Sequence, residues 1–313
     1  MKRIGMVGLI WIGWCCAGAA QLPDDLLPLE NLMDRPEELV AAVRAFDRQQ
    51  VALVGWDNEL AREYTDAGET LLAQDKRDSA QRRLLRVKQA YERVMNRYPN
   101  DAHANCYYGE LLYDYFGDVI EGVRRWKLAV SMDTKLDKGY NNLGIHYFHY
   151  GDYDLGLACY DKALRLAPRN PDYMYNMAQA YLASYEAIAK IRKCDKTKLY
   201  YEAMKLSKKA VKAAPADFAL AQDYAVNFYA AENFGIEVDW PAAAKAWQQA
   251  RTLARDRTDS FYTWLNEARV WVRANDKPKA LDCLKKALEI EPGSEAAKQL
   301  LADIEGQTSE GNK

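Results

Sequence analysis

The sequence has little glycine and proline, the residues that most often break helices and form turns. It contains 17 glycines and 10 prolines in 313 residues, which is below average usage. Turn chemistry is therefore scarce, and we expect helices to dominate. Hydrophobic residues make up 49% of the chain and charged residues 28%, a balance that is typical of a folded chain rather than a disordered one.

The sequence also lacks the motifs of common catalytic and nucleotide-binding sites. It has no glycine-rich phosphate loop, no H-E-x-x-H and no G-x-S-x-G, each of which depends on a specific local context. The net charge of −2 gives no basic excess for binding nucleic acid. His146 and His149 could share a helix face, but two imidazoles are half of a tetrahedral metal site. We predict no enzyme activity, cofactor, metal or nucleic-acid partner.

Cysteine is scarce as well, and no C-x-x-C pair occurs among the six cysteines. Four of them, Cys106, Cys159, Cys194 and Cys283, follow the first twenty residues. In an oxidising compartment these four could form two disulfides. Small apolar packing residues are the simpler interpretation, because Cys159 and Cys283 occupy the same position of two separate repeats. The sequence leaves the disulfides open.

The first twenty residues have the pattern of an export signal. Lys2 and Arg3 are followed by an uncharged stretch from Ile4 to Ala20 that ends in small residues, as in a cleavable signal peptide. A span of 17 uncharged residues with four glycines is short for a membrane anchor. We expect cleavage before Ala20 or Gln21, an exported protein in the periplasm or secreted, and membrane attachment only if the signal is retained.

A repeat of 34 residues is clearest between Asp137 and Asn170. Small residues at fixed positions would let two helices approach, aromatic residues would fill the remaining gap, and a proline would end the second helix. These positions are Tyr140, Leu143, Gly144, Tyr147, Gly156, Tyr160, Ala163 and Pro168. The unit resembles the tetratricopeptide repeat, a pair of antiparallel helices.

The same pattern recurs along most of the chain, from about Trp56 to Ser294. Equivalent second-helix positions are separated by 35, 34, 47, 40 and 37 residues. They are Val94, Ala129, Ala163, Ala210, Ala250 and Ala287. The resemblance implies an all-α fold, a right-handed superhelical solenoid of about six antiparallel helix pairs with terminal capping helices.

The chain divides by pattern into six segments. An acidic, proline-containing stretch precedes the helix start at Pro36, and an amphipathic stretch follows the last repeat. The predicted segments are a signal peptide (1–20), an extended lead-in (21–35), N-terminal helices with a divergent first repeat (36–101), tetratricopeptide repeats (102–294), a capping helix (295–305) and a flexible tail (306–313).

In the family that the repeats resemble, the first helix of each repeat lines a concave groove that receives a partner segment. The positions that resemblance assigns to the groove carry mainly amide and aromatic side chains, which either hold a ligand backbone or serve packing and solvation. They are Lys138, Asn141, Asn142, Ile145, His149, Tyr175, Asn176, Gln179, Gln222, Asp223, Tyr262, Asn266 and Arg269. Asn142, Asn176, Asp223 and Asn266 occupy one equivalent position.

Insertions relative to the 34-residue unit predict a second surface. About seven extra residues precede Val87, 13 precede Ala203 and six precede Ala243. We predict that all three are loops on one edge and that the two in consecutive repeats, around 188–198 and 231–241, touch or nearly touch. The proposed auxiliary partner site comprises Arg192, Lys193, Phe234 and Trp240.

A basic segment lies in the same region. Nine basic residues and two acidic ones lie between Lys190 and Lys212, and four of its lysines share one helical face. The segment either recruits an anionic partner or is an ordinary solvated helix face.

These observations together favour an exported scaffold that binds a protein or peptide segment in assembly or maintenance of a cell-envelope complex. The alternative is an accessory subunit of an envelope enzyme, with a small molecule or cell-wall fragment in the same groove. A hydrolase is a third possibility. The partner and the oligomeric state do not follow from the sequence.

Overall fold

The computed structural model describes residues 29–310, and these are helical with no strand among them. Two short 3-10 helices occur, at Leu29–Leu32 and Asn227–Phe234. The α-helices are α1 (Pro36–Asp66), α2 (Thr70–Arg97), α3 (Ala102–Phe116), α4 (Val119–Met132), α5 (Asp137–His149), α6 (Tyr153–Leu166), α7 (Pro171–Ala183), α8 (Tyr185–Arg192), α9 (Lys196–Ala213), α10 (Phe218–Val226), α11 (Trp240–Arg251), α12 (Arg257–Arg273), α13 (Lys277–Ile290) and α14 (Glu295–Glu310). The prediction of an all-α solenoid of helix pairs is confirmed.

The chain forms two compact units that divide after Gly139, within α5. The predicted signal peptide, most of the lead-in and the last three residues lie outside the described residues. The predicted segment boundaries stay predictions. No helix within 29–310 combines the length and apolar character that a bilayer crossing requires.

Unit 1 begins with a long hairpin of α1 and α2, which differs from the expected short cap followed by a separate first repeat. A single helix of 31 residues covers both, because the sequence from 50 to 56 contains no proline to end it, and the helix continues through Gly55. Buried Asp57 of α1 accepts hydrogen bonds from Ser79 (2.8 Å) and Arg83 (2.9 Å) of α2 and so joins the two helices. The predicted loop before Val87 is therefore wrong: the extra residues lengthen the helices.

The pair α3 and α4 in unit 1 approaches through two glycines. A Cβ at Gly109 would lie 2.9 Å from the carbonyl oxygen of Gly122, and the reverse distance is also 2.9 Å. The Trp126 indole covers this contact and donates to the carbonyl of Cys106 at 3.1 Å. Both glycines have ordinary helical backbone conformation. Glycine is required at these positions because the two helices approach too closely for a side chain, and not because of the backbone dihedral angles.

The pair α5 and α6 shows the packing that the repeat pattern predicts. Gly144 lies under the Tyr160 ring, and Gly156 lies under the Phe148 ring. The two rings stack with centroids 5.2 Å apart. Tyr160 fills the gap between the two helices, as the repeat pattern predicts. The second ring in this gap belongs to Phe148, whereas the sequence predicted Tyr147.

The two stretched repeats of unit 2 place their insertions in contact, as predicted. One insertion forms α8 between α7 and α9, and the other is the 3-10 helix after α10. Lys196 donates to the carbonyl of Asn233 at 2.9 Å. The rings of Tyr185 and Phe234 lie 4.5 Å apart. Both insertions are therefore largely helical, where loops were predicted, and they pack against each other.

The C-terminal pair, α12 and α13, is followed by α14. Ala297 and Ile304 of α14 are buried in the core of unit 2, which is how a terminal helix shields the apolar face of a last repeat. The helix continues to Glu310, five residues beyond the predicted end.

The four cysteines of the described chain are unpaired. Burial raises the pKa of the Cys106 and Cys283 thiols to about 12 and that of Cys159 to about 11. Such thiols are poor nucleophiles because the thiolate is scarcely populated near neutral pH. The cysteines thus act as small packing residues in this structure.

Candidate functional site

The predicted groove residues of unit 2 lie on the first helices of four successive repeats, α5, α7, α10 and α12. Asn142 and Asn266 are buried, whereas Asn176 and Asp223 are half-buried. We call these four positions the first-helix row. Each of the four lies on the first helix of its repeat, but their hydrogen bonds differ from one helix to the next.

Two amides of the row bond within the protein. The Asn176 side-chain nitrogen donates to Asn141 at 3.0 Å, which joins α7 to α5. Asn266 donates to the carbonyl of Tyr262 (2.8 Å) and accepts from Arg269 (3.0 Å). These amides therefore hold neighbouring residues of the helices together. The sequence left such a packing role open as the alternative to ligand binding. The buried amide nitrogen of Asn142 has no hydrogen-bond partner among the residues described.

Gln179 belongs to a buried chain of polar groups that ties the inserted segment in place. Its side-chain nitrogen donates to Asn227 at 3.2 Å, and Asn227 donates to Ser207 at 3.0 Å. The chain connects α7, the 3-10 helix and α9. Asn227 and Ser207 were not predicted from the sequence, because neither lies at a position that recurs in the 34-residue pattern.

Asp223 is the one carboxyl group of the row. It accepts a hydrogen bond from the Tyr175 hydroxyl, and no ion pair with a cation is present for it among residues 29–310. Burial raises the pKa of Asp223 to about 6 and that of Tyr175 to about 12. The carboxylate at neutral pH is thus held in an unfavourable environment.

This environment predicts a pH-dependent gain in stability for Asp223→Asn. A folded-state pKa of about 6, raised from 3.8, means that ionisation of Asp223 lowers stability as the pH rises from about 4 to about 6 and that the loss is constant at higher pH. At pH 7.5 the amide should raise the free energy of unfolding by roughly 1–3 kcal/mol. At pH 4 the two proteins should be about equally stable, since the wild-type group is then largely neutral.

Urea unfolding of both proteins at the two pH values measures this difference. Asp217→Asn does not serve as a control, because Asp217 caps α10 by accepting from the Leu220 N–H. The wild-type protein at pH 4 is the internal control. An effect of equal size at both pH values would contradict the assignment.

The remaining predicted groove residues fall into two groups. Tyr262, Arg269 and His149 are exposed, and Gln222 is half-buried, so these four are accessible from solvent. Ile145 packs against the core of unit 2. Lys138 belongs to unit 1, where it pairs with Glu110 at 2.8 Å and lies 5.5 Å from the Tyr107 ring.

The auxiliary loop site is not one surface, although its two loops touch. Phe234 is only 1% exposed, between the rings of Tyr185 and Tyr200, so its assignment to a partner surface was wrong. The 3-10 helix turns this ring inward to seal the joint between the insertions. Trp240 is half-buried beside Tyr229 and Arg273.

The two basic members of the auxiliary site differ in their surroundings. Arg192 is tied to Asp161 at 2.6 Å, so its charge is balanced by a neighbouring carboxylate. Lys193 ends α8 in the left-handed region with φ 50° and is exposed. Only Lys193 is thus free to meet a partner without breaking an existing contact.

A cavity in unit 1 was not predicted, because α1 was expected to be a cap. Its volume is about 490 Å³. Arg44 beside it contacts Asp47, donates to Glu110 at 3.1 Å and lies 4.5 Å from the Tyr107 ring. The cavity residues are Glu37, Val40, Ala41, Arg44, Ala45, Arg48, Asp101, His103 and Tyr107. Charges of both signs line it, so it favours no single class of ligand.

His146 and His149 do not form a metal site with other residues. The His146 ring lies 4.6 Å from the Tyr150 ring, and His149 is exposed at the end of α5. Within the part of the chain that the structure describes, no three His, Cys, Asp or Glu side chains converge to hold a metal ion.

The repeat is recognised directly by a family model. The model of the tetratricopeptide repeat matches residues 138–170, which form α5, α6 and the loop that leads to α7. No match is found among curated protein sequences.

Solved structures share the fold at low sequence identity. The C-terminal part of a tetratricopeptide-repeat protein from Cytophaga hutchinsonii is 17% identical, with a TM-score of 0.52 over 87% of this chain and 98% of that one. PilF from Pseudomonas aeruginosa is 13% identical, with a TM-score of 0.51 over 82% and 99%. YrrB is 17% identical, with a TM-score of 0.50 over 68% and 97%.

Helix pairs of the repeat type, glycines at their predicted contacts and these similarities all agree. The chain contains a tetratricopeptide repeat at residues 138–170, and the described residues around it share the helix-pair fold of solved tetratricopeptide-repeat structures.

Proposed function

We propose that this chain is a non-catalytic scaffold that binds a peptide or helical segment of partner proteins along the first helices of unit 2. The observation that carries the proposal is Asp223, a half-buried carboxyl group of the first-helix row that has no cation partner among residues 29–310. Its burial costs stability at neutral pH. A partner that donates an N–H or a positive charge to this carboxylate would offset that cost on binding.

Accessible residues beside the row have the chemistry of a binding surface. Tyr262 and Arg269 are exposed on α12, and Gln222 lies on the same face of the preceding first helix. Tyrosine and arginine are enriched among residues that dominate binding energy at protein interfaces. Amide side chains can pair with the backbone of an extended or helical segment.

Structural relatives support a binding role of this kind. YrrB is described as a tetratricopeptide-repeat protein with an unusual peptide-binding site. PilW, with a TM-score of 0.51 and 14% identity, is described as a type IV pilus biogenesis factor. By analogy with these proteins, the proposal includes a role for the present chain in assembling or maintaining a cell-envelope complex.

Such a role requires export, which we include in the proposal. The charged start and the uncharged stretch from Ile4 to Ala20 support a cleaved signal and a periplasmic or secreted location. Protein isolated from the host envelope should begin at Ala20 or Gln21 by N-terminal sequencing. A chain that retains Met1 in the membrane fraction would contradict cleavage.

Affinity isolation of the tagged full chain tests the scaffold proposal. Tyr262→Ser with Arg269→Glu should reduce the amount of co-purified partner by at least about tenfold, since loss of interface anchors typically costs 2 kcal/mol or more. Quantitative mass spectrometry of the isolated complexes measures the loss.

A matched variant on the second helix of the same repeat is the control. Leu281 and Lys285 are exposed on α13, and Leu281→Ser with Lys285→Glu makes similar chemical changes there. This control should retain its partners within about twofold, and both variants should keep the helical circular dichroism of the wild type. Equal losses in the two variants would argue against binding at the first helices.

A further inference from the structure

The solvent face of α9 carries an uncommon concentration of lysine. The helix contains six lysines and one acidic residue, Glu202, in a chain whose net charge is −2. With 3.6 residues per turn, five of these lysines and one tyrosine fall within an arc of about 100°. This lysine stripe consists of Lys198, Tyr201, Lys205, Lys208, Lys209 and Lys212, all of them exposed.

The opposite face of α9 is fixed in the core of unit 2. Leu199, Tyr200, Ala203, Ser207 and Ala210 are buried there, and α9 packs against α7, α8, α10 and the 3-10 helix. The helix is therefore held in place by its apolar face. The lysine stripe is a fixed surface of about 21 Å, the rise of 14 helical residues.

Most of the charge of the stripe is not balanced by neighbouring carboxylates, since four of its five lysines form no ion pair in the described chain. Lys205 pairs with Glu202 at 3.7 Å, and no other ion pair of the described chain involves a lysine of the stripe. Elsewhere, lysines on second and terminal helices do pair with a carboxylate three residues away, as Lys279 does with Asp276 and Lys298 with Glu295. The stripe thus presents an uncompensated positive potential.

The composition of the stripe fits an anionic lipid surface better than a protein partner. Lysine is depleted from the cores of protein interfaces, which rely on apolar and aromatic contacts, and the one large apolar group here is Tyr201. A flexible, strongly hydrated ammonium suits the diffuse negative charge of a headgroup layer. Tyrosine is enriched where proteins meet membrane interfaces.

We propose that the lysine stripe of α9 binds the anionic headgroups of a lipid bilayer and holds the protein reversibly at that surface. The contact is electrostatic and peripheral, since the apolar face of α9 stays in the core. It is independent of the first-helix row, which lies on other helices of the repeats. It is also independent of whether the first twenty residues are cleaved.

Co-sedimentation of the full chain with vesicles tests the proposal. Vesicles of 30% phosphatidylglycerol in phosphatidylcholine should bind the wild type at 50 mM NaCl, and 300 mM NaCl should weaken that binding through screening. Each lysine near an anionic surface contributes about fivefold. Lys208→Glu with Lys209→Glu and Lys212→Glu should therefore reduce binding on the order of 100-fold, whereas lysine-to-arginine changes at the same positions should retain it.

Three scattered substitutions control for the change in total charge. Arg93, Lys245 and Lys285 are exposed on three different helices, and their change to glutamate alters the net charge by the same amount. This control should bind within about threefold of the wild type. Pure phosphatidylcholine vesicles, which offer no anionic headgroups, should bind little of any protein.

Several results would overturn the proposal. They are an absence of wild-type binding to the anionic vesicles, equal losses in the stripe variant and the scattered control, and binding to phosphatidylcholine that matches the anionic vesicles. Retention on immobilised poly-glutamate without binding to vesicles would overturn it in favour of an acidic protein partner.

Discussion

Replacement of Gly109 by alanine should destabilise unit 1 by about 1–3 kcal/mol, the usual range for overpacking a well-packed contact. The added Cβ would lie 2.9 Å from the carbonyl oxygen of Gly122 and 2.9 Å from the Trp126 indole. The carbonyl is backbone within α4, so it moves only if the two helices separate. Movement of the indole would break its hydrogen bond to Cys106.

Gly293→Ala is the matched control for this prediction. No atom lies within 4 Å of a Cβ at Gly293, and its φ is not in the left-handed region. The free energy of unfolding should change by less than about 0.5 kcal/mol there. Urea unfolding followed by tryptophan fluorescence and circular dichroism measures both variants. A Gly109→Ala protein as stable as the control would show that α3 and α4 are not in this close contact.

Removal of the Glu267 carboxylate should cost more, about 3–5 kcal/mol for a buried charged partner. Glu267 is 3% exposed and accepts hydrogen bonds from Gln248 (2.6 Å), Arg251 (2.7 Å) and Trp271 (3.3 Å). It thereby joins α11 to α12. In Glu267→Ala the Arg251 guanidinium, which lies against the Trp264 ring, loses its counter-charge while remaining largely buried.

The double variant Glu267→Leu with Arg251→Met separates a lost ion pair from a lost packing contact. With both charges gone, most of the stability should return, because an apolar pair of similar volume often replaces a buried ion pair without net cost. Glu289→Ala, which removes the exposed partner of Lys286, should change stability by less than 1 kcal/mol. Thermal and urea unfolding of the three proteins would contradict the account if the double variant were less stable than Glu267→Ala.

Core positions of the fold could be predicted because the repeat fixes them independently of the loops. Gly144 and Tyr160 meet between α5 and α6 as the 34-residue pattern requires. Ala163 is fully buried, and so is Ala287 at the equivalent position 124 residues later. The contact between the two insertions also followed from the pattern, since extra residues in adjacent repeats emerge on the same side.

Lengths of helices could not be predicted in the same way. The end of a helix depends on local capping and on neighbouring helices, and α1 runs unbroken because α2 supplies partners such as Arg83 along its distal half. The repeat pattern carries no information on hydrogen bonds between α1 and α2. The prediction of a capping helix followed by a separate first repeat was therefore wrong.

The helices that carry the candidate residues could be predicted from the sequence, but the contacts of their side chains could not. Repeat equivalence located Asn176, Asp223 and Asn266 on the first helices, yet the partner of each side chain depends on how its helix packs. Asn176 donates to Asn141, whereas Asp223 accepts a hydrogen bond from the Tyr175 hydroxyl. Phe234 shows the same limit, because its burial follows from the turn of a 3-10 helix.

The central claim is that partners bind the first helices of unit 2, and site-specific photo-crosslinking in the host cell tests it most directly. A benzophenone side chain placed at Gln222 or Tyr262 should form covalent adducts with a partner protein, whereas the same group at Leu281 or Lys285 on α13 should form none. Adducts at Leu281 and Lys285 without adducts at Gln222 and Tyr262 would contradict the account.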